Sequence, residues 1–363
     1  TNQGPDLFWG LYSLPHLFPS KCVDVSDVAG YLGKKYGGWT PTAETYGKGP
    51  GGKWIAIPVA YNGNVINYRQ SMIEKAGFKE VPKDTAGFLE LMKALKEKSV
   101  PGGFALGRAS GDGNAWVHWA LWSQGANLVD KNDKVIINSP ETVKALEYVK
   151  ALSDTFVSGT ASWNDAFNNK AFLDGQVSVT NNGISIYYAA KNSTDPKVNA
   201  LKDDIQHASF PVGPVGVPTE SHLFFNQMVM KYTKYPKAAK EFLRFMMEQE
   251  QFDPWLTGAG GYIAAPLAAY EKTKADGFYE KNPAREIPIK QMLAKAPTEN
   301  SKGVRLPNLP QVRDIMNEEY EKMLAGDQTA QQVQAEVMKK GASLRDGMAL
   351  AFNPPTIRGI GQA

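Results

Sequence analysis

Aromatic side chains stand beside amides and carboxylates at several points of this chain: Phe8-Trp9-Gly10-Leu11-Tyr12, Tyr61-Asn62, Gly111-Asp112-Gly113-Asn114-Ala115-Trp116, Trp163-Asn164-Asp165 and Phe225-Asn226-Gln227. Aromatic faces stack on the C–H surfaces of sugars or on cations, and neighbouring amides and carboxylates fix hydroxyl or ammonium groups. The mixture points to non-covalent recognition of a small polar molecule. Each segment also has a plainer reading. Trp116, Trp119 and Trp122 recur every three residues, so on a helix they drift round one broad face. Trp119 and Trp122 read as core, whereas Trp116, at the loop junction, is divided between core and ligand contact. Asn164 or Asp165 serves equally well as the cap of the short helix that follows. Thr180-Asn181-Asn182-Gly183 reads either as a cleft-facing corner or as a turn, since Asn-Gly tolerates left-handed backbone.

Catalytic patterns are incomplete wherever they begin. Gly47, Gly52 and Lys53 satisfy part of a phosphate-binding loop, but Trp54 stands where a serine or threonine would hold magnesium, and a β-type run follows in place of a helix. His16, His118, His207 and His222 lie far apart without the spacing that sets two imidazoles on one helical face. Asp130-Lys131-Asn132-Asp133 lacks the glycine and distal glutamate of a calcium loop and reads as a hairpin turn. No serine elbow is present, and Cys22 has no neighbouring base. No catalytic residue, metal or cofactor is assigned.

The bulk properties agree with a binding role. A chain of 363 residues, 42% hydrophobic and 21% charged, describes a globular protein of about two domains. The formal net charge is only +3 and the basic residues are scattered, so neither nucleic acid nor an anionic membrane is the expected partner. One cysteine excludes an intrachain disulfide, and Cys22 reads as buried packing. No apolar run is long enough to span a bilayer, and no signal peptide heads the chain, which reads as mature or trimmed material.

The elements that must position these residues alternate strand-like and helix-like, which favours parallel sheets with helices on their faces. Ile55 to Tyr68 runs from one apolar strand through Tyr61-Asn62 into a second and reads as a hinge. Asp84 caps a helix whose Phe88, Leu91, Met92 and Leu95 fall on one face. Ser139-Pro140-Glu141 opens another, striped by Val143, Leu146, Val149 and Leu152. Thr329-Ala330-Gln331-Gln332 has capping-box spacing and opens a helix that Gly341 should end. Phe210-Pro211-Val212-Gly213-Pro214-Val215-Gly216 is rich in residues that break helices and permit turns.

The order of the hinge segment, the RQSMIEKAGF helix at Arg69 to Phe78 and Val81-Pro82-Lys83-Asp84 resembles the first interdomain crossing of extracellular solute-binding proteins of the maltose-binding, carbohydrate-uptake type. Pro307-Asn308-Leu309-Pro310-Gln311 resembles a PNxPQ stretch that this family often carries before a helix. The resemblance implies an α/β, two-lobe periplasmic-binding-protein fold (type II-like), each lobe a mainly parallel sheet flanked by helices. It places lobe one at 1–60 and 213–303, lobe two at 61–207 and 308–345, and a tail at 346–363. Crossings fall near Ile57 to Asn62, His207 to Gly213 and Gly303 to Pro310. Family members begin with a strand, a helix and a strand before the segment resembling Gly4 to Trp9, so an N-terminal portion of a few dozen residues is expected to be missing or altered.

Function follows from the same resemblance: a monomeric, exported, periplasmic binding protein of an ABC importer, handing a sugar, oligosaccharide or polyol to a membrane permease. The ligand-facing residues it implies are Trp9 and Tyr12 at a strand end, Tyr61 and Asn62 at the hinge, and Asp112, Asn114 and Trp116 at a loop–helix junction. Trp163 and Asp165, the Asn181-Asn182 corner, Asn226 on a strand, and Tyr262 in a closing loop complete the set. An organic cation caged by tryptophans, with Asp112 and Asp165 as counter-ions, is the alternative on the same fold. A carbohydrate-active hydrolase or lyase is the alternative of a different class.

Overall fold

A computed structural model describes residues 3–106, 111–128, 130, 135–220, 222–258, 266–267 and 309–352. Two three-stranded sheets organise it. In the first, β6 (His222–Val229) lies between β1 (Leu7–Leu11) and β2 (Ile57–Gly63). In the second, β3 (Val65–Arg69) lies between β4 (Val179–Asn182) and β5 (Ile205–Ala208).

Only Asn64 separates β2 from β3, so the chain passes from one sheet to the other at a single residue. The apolar run that reads as a hinge is that passage, and every residue of β2 is buried. The chain returns between β5 and β6. There Trp119 Nε1–H donates to the Pro211 carbonyl at 2.7 Å, and the Phe210 ring lies 5.1 Å from Trp119. Gly213 is obligatory on this return, because a Cβ there would meet the Ser123 carbonyl oxygen at 2.3 Å. The third expected crossing lies outside the described residues through 308.

All pairings between these strands are antiparallel, with Gly10 opposite Asn226, Tyr61 opposite Phe224, and Asn67 opposite both Thr180 and His207. This corrects the expectation of mainly parallel sheets. The alternation of strands and helices is present, but β2 and β3 run into different sheets, so neither makes the crossover that lays two strands side by side in parallel.

The main core lies under the Thr85–Glu97 helix, whose Phe88, Leu91, Met92 and Leu95 are fully buried against Phe104, Trp116 and Trp119. Each such side chain contributes about 1.5–3 kcal/mol by leaving water. Asp84 caps this helix at the Gly87 amide (2.9 Å), and Ser139 caps Pro140–Ser153 at Thr142. Thr329 and Gln332 form the reciprocal capping box: the Thr329 amide donates to Gln332 Oε1 at 2.7 Å, and the Gln332 amide to Thr329 Oγ1 at 3.3 Å. The helix opened there runs from Ala330 to Phe352, passing through Gly341 where the sequence suggested an end. It packs against Leu309–Ala325 and Pro140–Ser153, and that support outweighs the roughly 1 kcal/mol that one interior glycine costs. Cys22 is buried beside Ile55, Ala56 and Met228. Among the described residues no helix is long and apolar enough to cross a membrane.

Candidate functional site

Where the chain changes sheets, short side chains rich in amides converge from five segments. Asn62 is the last residue but one of β2 and Asn64 forms the link. Asn181 and Asn182 end β4, Asp112 opens the Asp112–Ser123 helix, and Asn168 lies in the Phe167–Leu173 helix. Antiparallel pairing of β3 with β4 sets Ile66 opposite Asn181 and Val65 opposite Asn182, which brings the β4 corner to the crossing. Gly183 allows the close approach, since a Cβ there would lie 2.5 Å from Asn62 Nδ2.

Asp112 is the hub. Its Oδ1 accepts from Asn64 Nδ2 at 3.2 Å and its Oδ2 from Asn168 Nδ2 at 2.8 Å. Asn181 Nδ2 donates to the Asp112 carbonyl at 2.9 Å and to Asn64 Oδ1 at 3.3 Å, while Asn168 Nδ2 also reaches the Asn181 carbonyl at 3.0 Å. Asn182 donates to Asn169 Oδ1. Burial pushes the Asp112 carboxyl up to about 7, the Asp165 charge adds to the rise, and the amides of Asn168, Asn182 and Asn64 oppose it.

Asp165 does different work. Its carboxylate accepts from the Gly111 amide at 3.0 Å and the Asp112 amide at 2.9 Å, capping the helix N-terminus from a distant loop. That hydrogen bonding ties Asp165 to backbone amides rather than leaving it as a counter-ion for a cationic ligand.

From the first sheet, Tyr12 reaches across. Its φ of +50° is a left-handed conformation that tyrosine rarely adopts, and its hydroxyl donates to the Gly111 carbonyl at 3.4 Å. Asn226 Nδ2 fixes the turn by donating to the Tyr12 carbonyl at 2.8 Å. The side-chain oxygens of Asn62, Asn168, Asn181 and Asn226 are buried and accept no hydrogen bond within the protein. Buried acceptors are seldom left so, and several at one locus mark a place where a donor is due.

Other sequence candidates are placed elsewhere. Trp116 is fully buried, its Nε1–H donating to the Ala105 carbonyl at 2.8 Å and its ring meeting Phe104 and Phe156 edge-on. It is core, which corrects the expectation of ligand contact. Tyr61 is likewise fully buried, its ring 5.1 Å from Phe224, which in turn stacks on Tyr46. Trp163 packs with Phe172, Ile186 and Ala190, close above Gly103. Both rings are buried in apolar surroundings, where the area removed from water favours the fold. Trp9 is 43% exposed beside Phe225 and Trp255, on the opposite face of its sheet from Asn226. Asn114 is buried on the first turn of the Asp112 helix. Tyr262 lies outside the described residues. Gly47 and Trp54 belong to a tight turn closed by a Lys48–Trp54 bridge. Among the described residues no His, Cys, Asp and Glu group is arranged to hold a metal ion.

Sequence reasoning missed Asn64, Asn168 and the buried Glu220 near Tyr61. The one available signal was Asn168-Asn169 within a helix, since asparagine is a poor helix former and needs another reason to be there.

The model of the bacterial extracellular solute-binding proteins matches residues 1–287. The chain belongs to that family. It is 31% identical over 329 residues to the sn-glycerol-3-phosphate-binding periplasmic protein UgpB of Agrobacterium fabrum, covering 85% of this chain and 72% of the relative. The corresponding protein of Brucella melitensis is 32% identical over 318 residues, covering 84% and 70%. Among solved structures, an ABC transporter solute-binding protein of Agrobacterium vitis with bound D-mannitol superimposes with a TM-score of 0.77 at 17% identity, covering 94% of this chain and 85% of the other. Maltose-bound MalE3 of T. maritima gives 0.75 at 19%, covering 94% and 85%. The fold is therefore the two-lobe architecture of these binding proteins. The chain's role is that of the solute-binding component of an ABC importer.

Proposed function

We propose that this protein captures a small sugar or polyol between two lobes at the amide-rich crossing and delivers it, in the periplasm, to a membrane permease. Lobe one comprises 1–60 with 213–303, lobe two 61–207 with 308–345, and the protein acts as a monomer without catalysing a reaction. The observation that carries the reading is that Asn168 and Asn181, each with an unanswered side-chain oxygen, converge on Asp112, beside Asn62 at Gly183. Such acceptors match hydroxyl donors. Support also comes from the names of relatives that bind sn-glycerol 3-phosphate and from neighbours holding D-mannitol, ribitol or laminaribiose.

Closure works by population shift. Tyr12 on one side and Gly111 on the other approach at the crossing, so a ligand touching both sides binds the closed form better and raises its population. Micromolar affinity needs about 8 kcal/mol, within reach of several hydrogen bonds that replace orphaned acceptors. A thermal-shift and calorimetric panel of polyols, mono- and disaccharides, sn-glycerol 3-phosphate and putrescine tests the proposal. Selective, saturable binding of a polyol or sugar, recovered chemically unchanged, is expected. Binding confined to putrescine, or product formation from an oligosaccharide, would overturn it.

A further inference from the structure

Resting on that reading and deepening it, we propose that Asp112, with the side-chain oxygens of Asn168 and Asn181, forms an acceptor subsite for a diol of the ligand. All three side chains are at least nine-tenths buried, and the amide nitrogens of Asn168 and Asn181 are already committed inside the cluster. What remains is acceptor capacity. The Asp112 carboxylate has about four lone-pair sites; Asn64 and Asn168 donate to it and the Asn182 amide also bears on it, which leaves capacity for a further donor. Asn168 Oδ1 and Asn181 Oδ1 have none of theirs used. A pair of ligand hydroxyls, each donating once, completes such a set.

The groups facing Asp112 decide between ligand chemistries. Asn64 comes from the β2–β3 link, Asn168 and Asp165 from the segment around the Phe167–Leu173 helix, and Asn181 and Asn182 from β4. Asp165 is the one charged neighbour among them, so an anionic ligand group would meet two carboxylates here. A phosphate ester would have to place its phosphate elsewhere and its hydroxyls in this subsite. Asp165 is held by the Gly111 and Asp112 amides, and the acceptors left open beside Asp112 are neutral amide oxygens, which hydroxyl donors satisfy.

Proton linkage follows. With its carboxyl raised to about 7, Asp112 is part protonated at neutral pH, and hydroxyls donating to it favour the ionised form. Seating the diol therefore releases protons, and affinity rises with pH through 6 to 8 before levelling.

The test uses the unmodified protein first. Calorimetric titration with ribitol or D-mannitol at pH 7, in two buffers of differing ionisation enthalpy, should show release of about half a proton per ligand. The release should fade by about pH 9. Asp112→Asn should abolish it and weaken binding by about tenfold or more, the cost of losing a charge-assisted acceptor. Proton uptake on binding, or an Asp112→Asn affinity unchanged from the parent, would overturn the diol subsite while leaving polyol capture standing. If Asp112→Asn does not fold, D-mannitol against a deoxyhexitol lacking one hydroxyl of a vicinal pair decides on the unmodified protein, and equal affinity would overturn the subsite. Failure of every polyol and sugar to bind the unmodified protein would bring down both readings.

Discussion

Replacing Trp116 separates a core role from a ligand role by two independent readouts. The indole is fully buried, its Nε1–H donates to the equally buried Ala105 carbonyl, and its ring meets Phe104 at 5.7 Å and Phe156 at 5.8 Å. Trp116→Phe leaves the carbonyl unpaired, at about 1–3 kcal/mol. It also loosens an aromatic contact worth about 0.5–1.5 kcal/mol. A total near 2–4 kcal/mol results. At about 2.1 cal/mol/K per residue, unfolding entropy for 363 residues is about 0.8 kcal/mol/K, so Tm should fall by roughly 3–5 °C. Urea titration and thermal melts without ligand measure the loss, and calorimetry on the folded variant should give a polyol Kd within about threefold of the parent. The reasoning is refuted if stability falls by less than about 1 kcal/mol while affinity drops tenfold or more, because the indole would then face ligand.

Two buried groups should oppose each other in the pH profile of stability. Asp112, raised to about 7 from 3.8, stabilises fully below its unfolded value and loses that contribution as pH rises through 7; His207, lowered by burial to about 4 from 6.5, contributes above 6.5 and loses it as pH falls through 4. Between about pH 5 and 6.5, above the range where the lowered carboxylates such as Asp24, Glu248 and Glu319 titrate in the unfolded chain, urea midpoints should therefore vary little in the parent, whereas Asp112→Asn should expose a loss toward acid; matching profiles for both proteins would contradict the assignment. Tyr12→Phe removes the hydroxyl that reaches Gly111, so ligand Kd should rise roughly 2–10-fold by calorimetry. An unchanged Kd would mean that this contact does not favour the closed form. Thr329→Ala breaks the capping box and should cost about 0.5–2 kcal/mol in urea unfolding without altering ligand affinity.

The parts of the fold legible in the sequence were those where one local rule decides. The Phe88–Leu95 stripe, the Asp84 and Ser139 caps and the Thr329–Gln332 box each follow from spacing alone, and all are present. The apolar run alone shows only β-structure; the hinge segment was legible only together with the helix segments that follow it, whose order resembles the family's first crossing. Strand direction was not, since it depends on which distant strands become neighbours. Gly341 failed as a stop because packing against two other helices carries the chain through it.

At the site, Asp112, Asn62 and the Asn181-Asn182 corner were implied by the family resemblance, and the structure gathers Asp112 with Asn181 and sets Asn62 at Gly183. Which aromatic ring faces a cleft could not be read. The Asp112–Ser123 helix is buried all round, so it carries no polar stripe to separate inside from cleft, and Trp116 went to the core. Asn64 was missed because a lone asparagine beside a turn is commonplace, and Asn168 because the Asn168-Asn169 pair in a helix does not say what it faces. Only their shared distance to Asp112 gives them meaning.

Small-angle X-ray scattering, with and without a saturating polyol that raises Tm, tests capture between closing lobes most directly. The account predicts a smaller radius of gyration in the ligand-bound protein, with the polyol recovered unchanged. A polyol that binds tightly yet leaves the radius of gyration as it was would contradict closure across the Tyr12–Gly111 crossing.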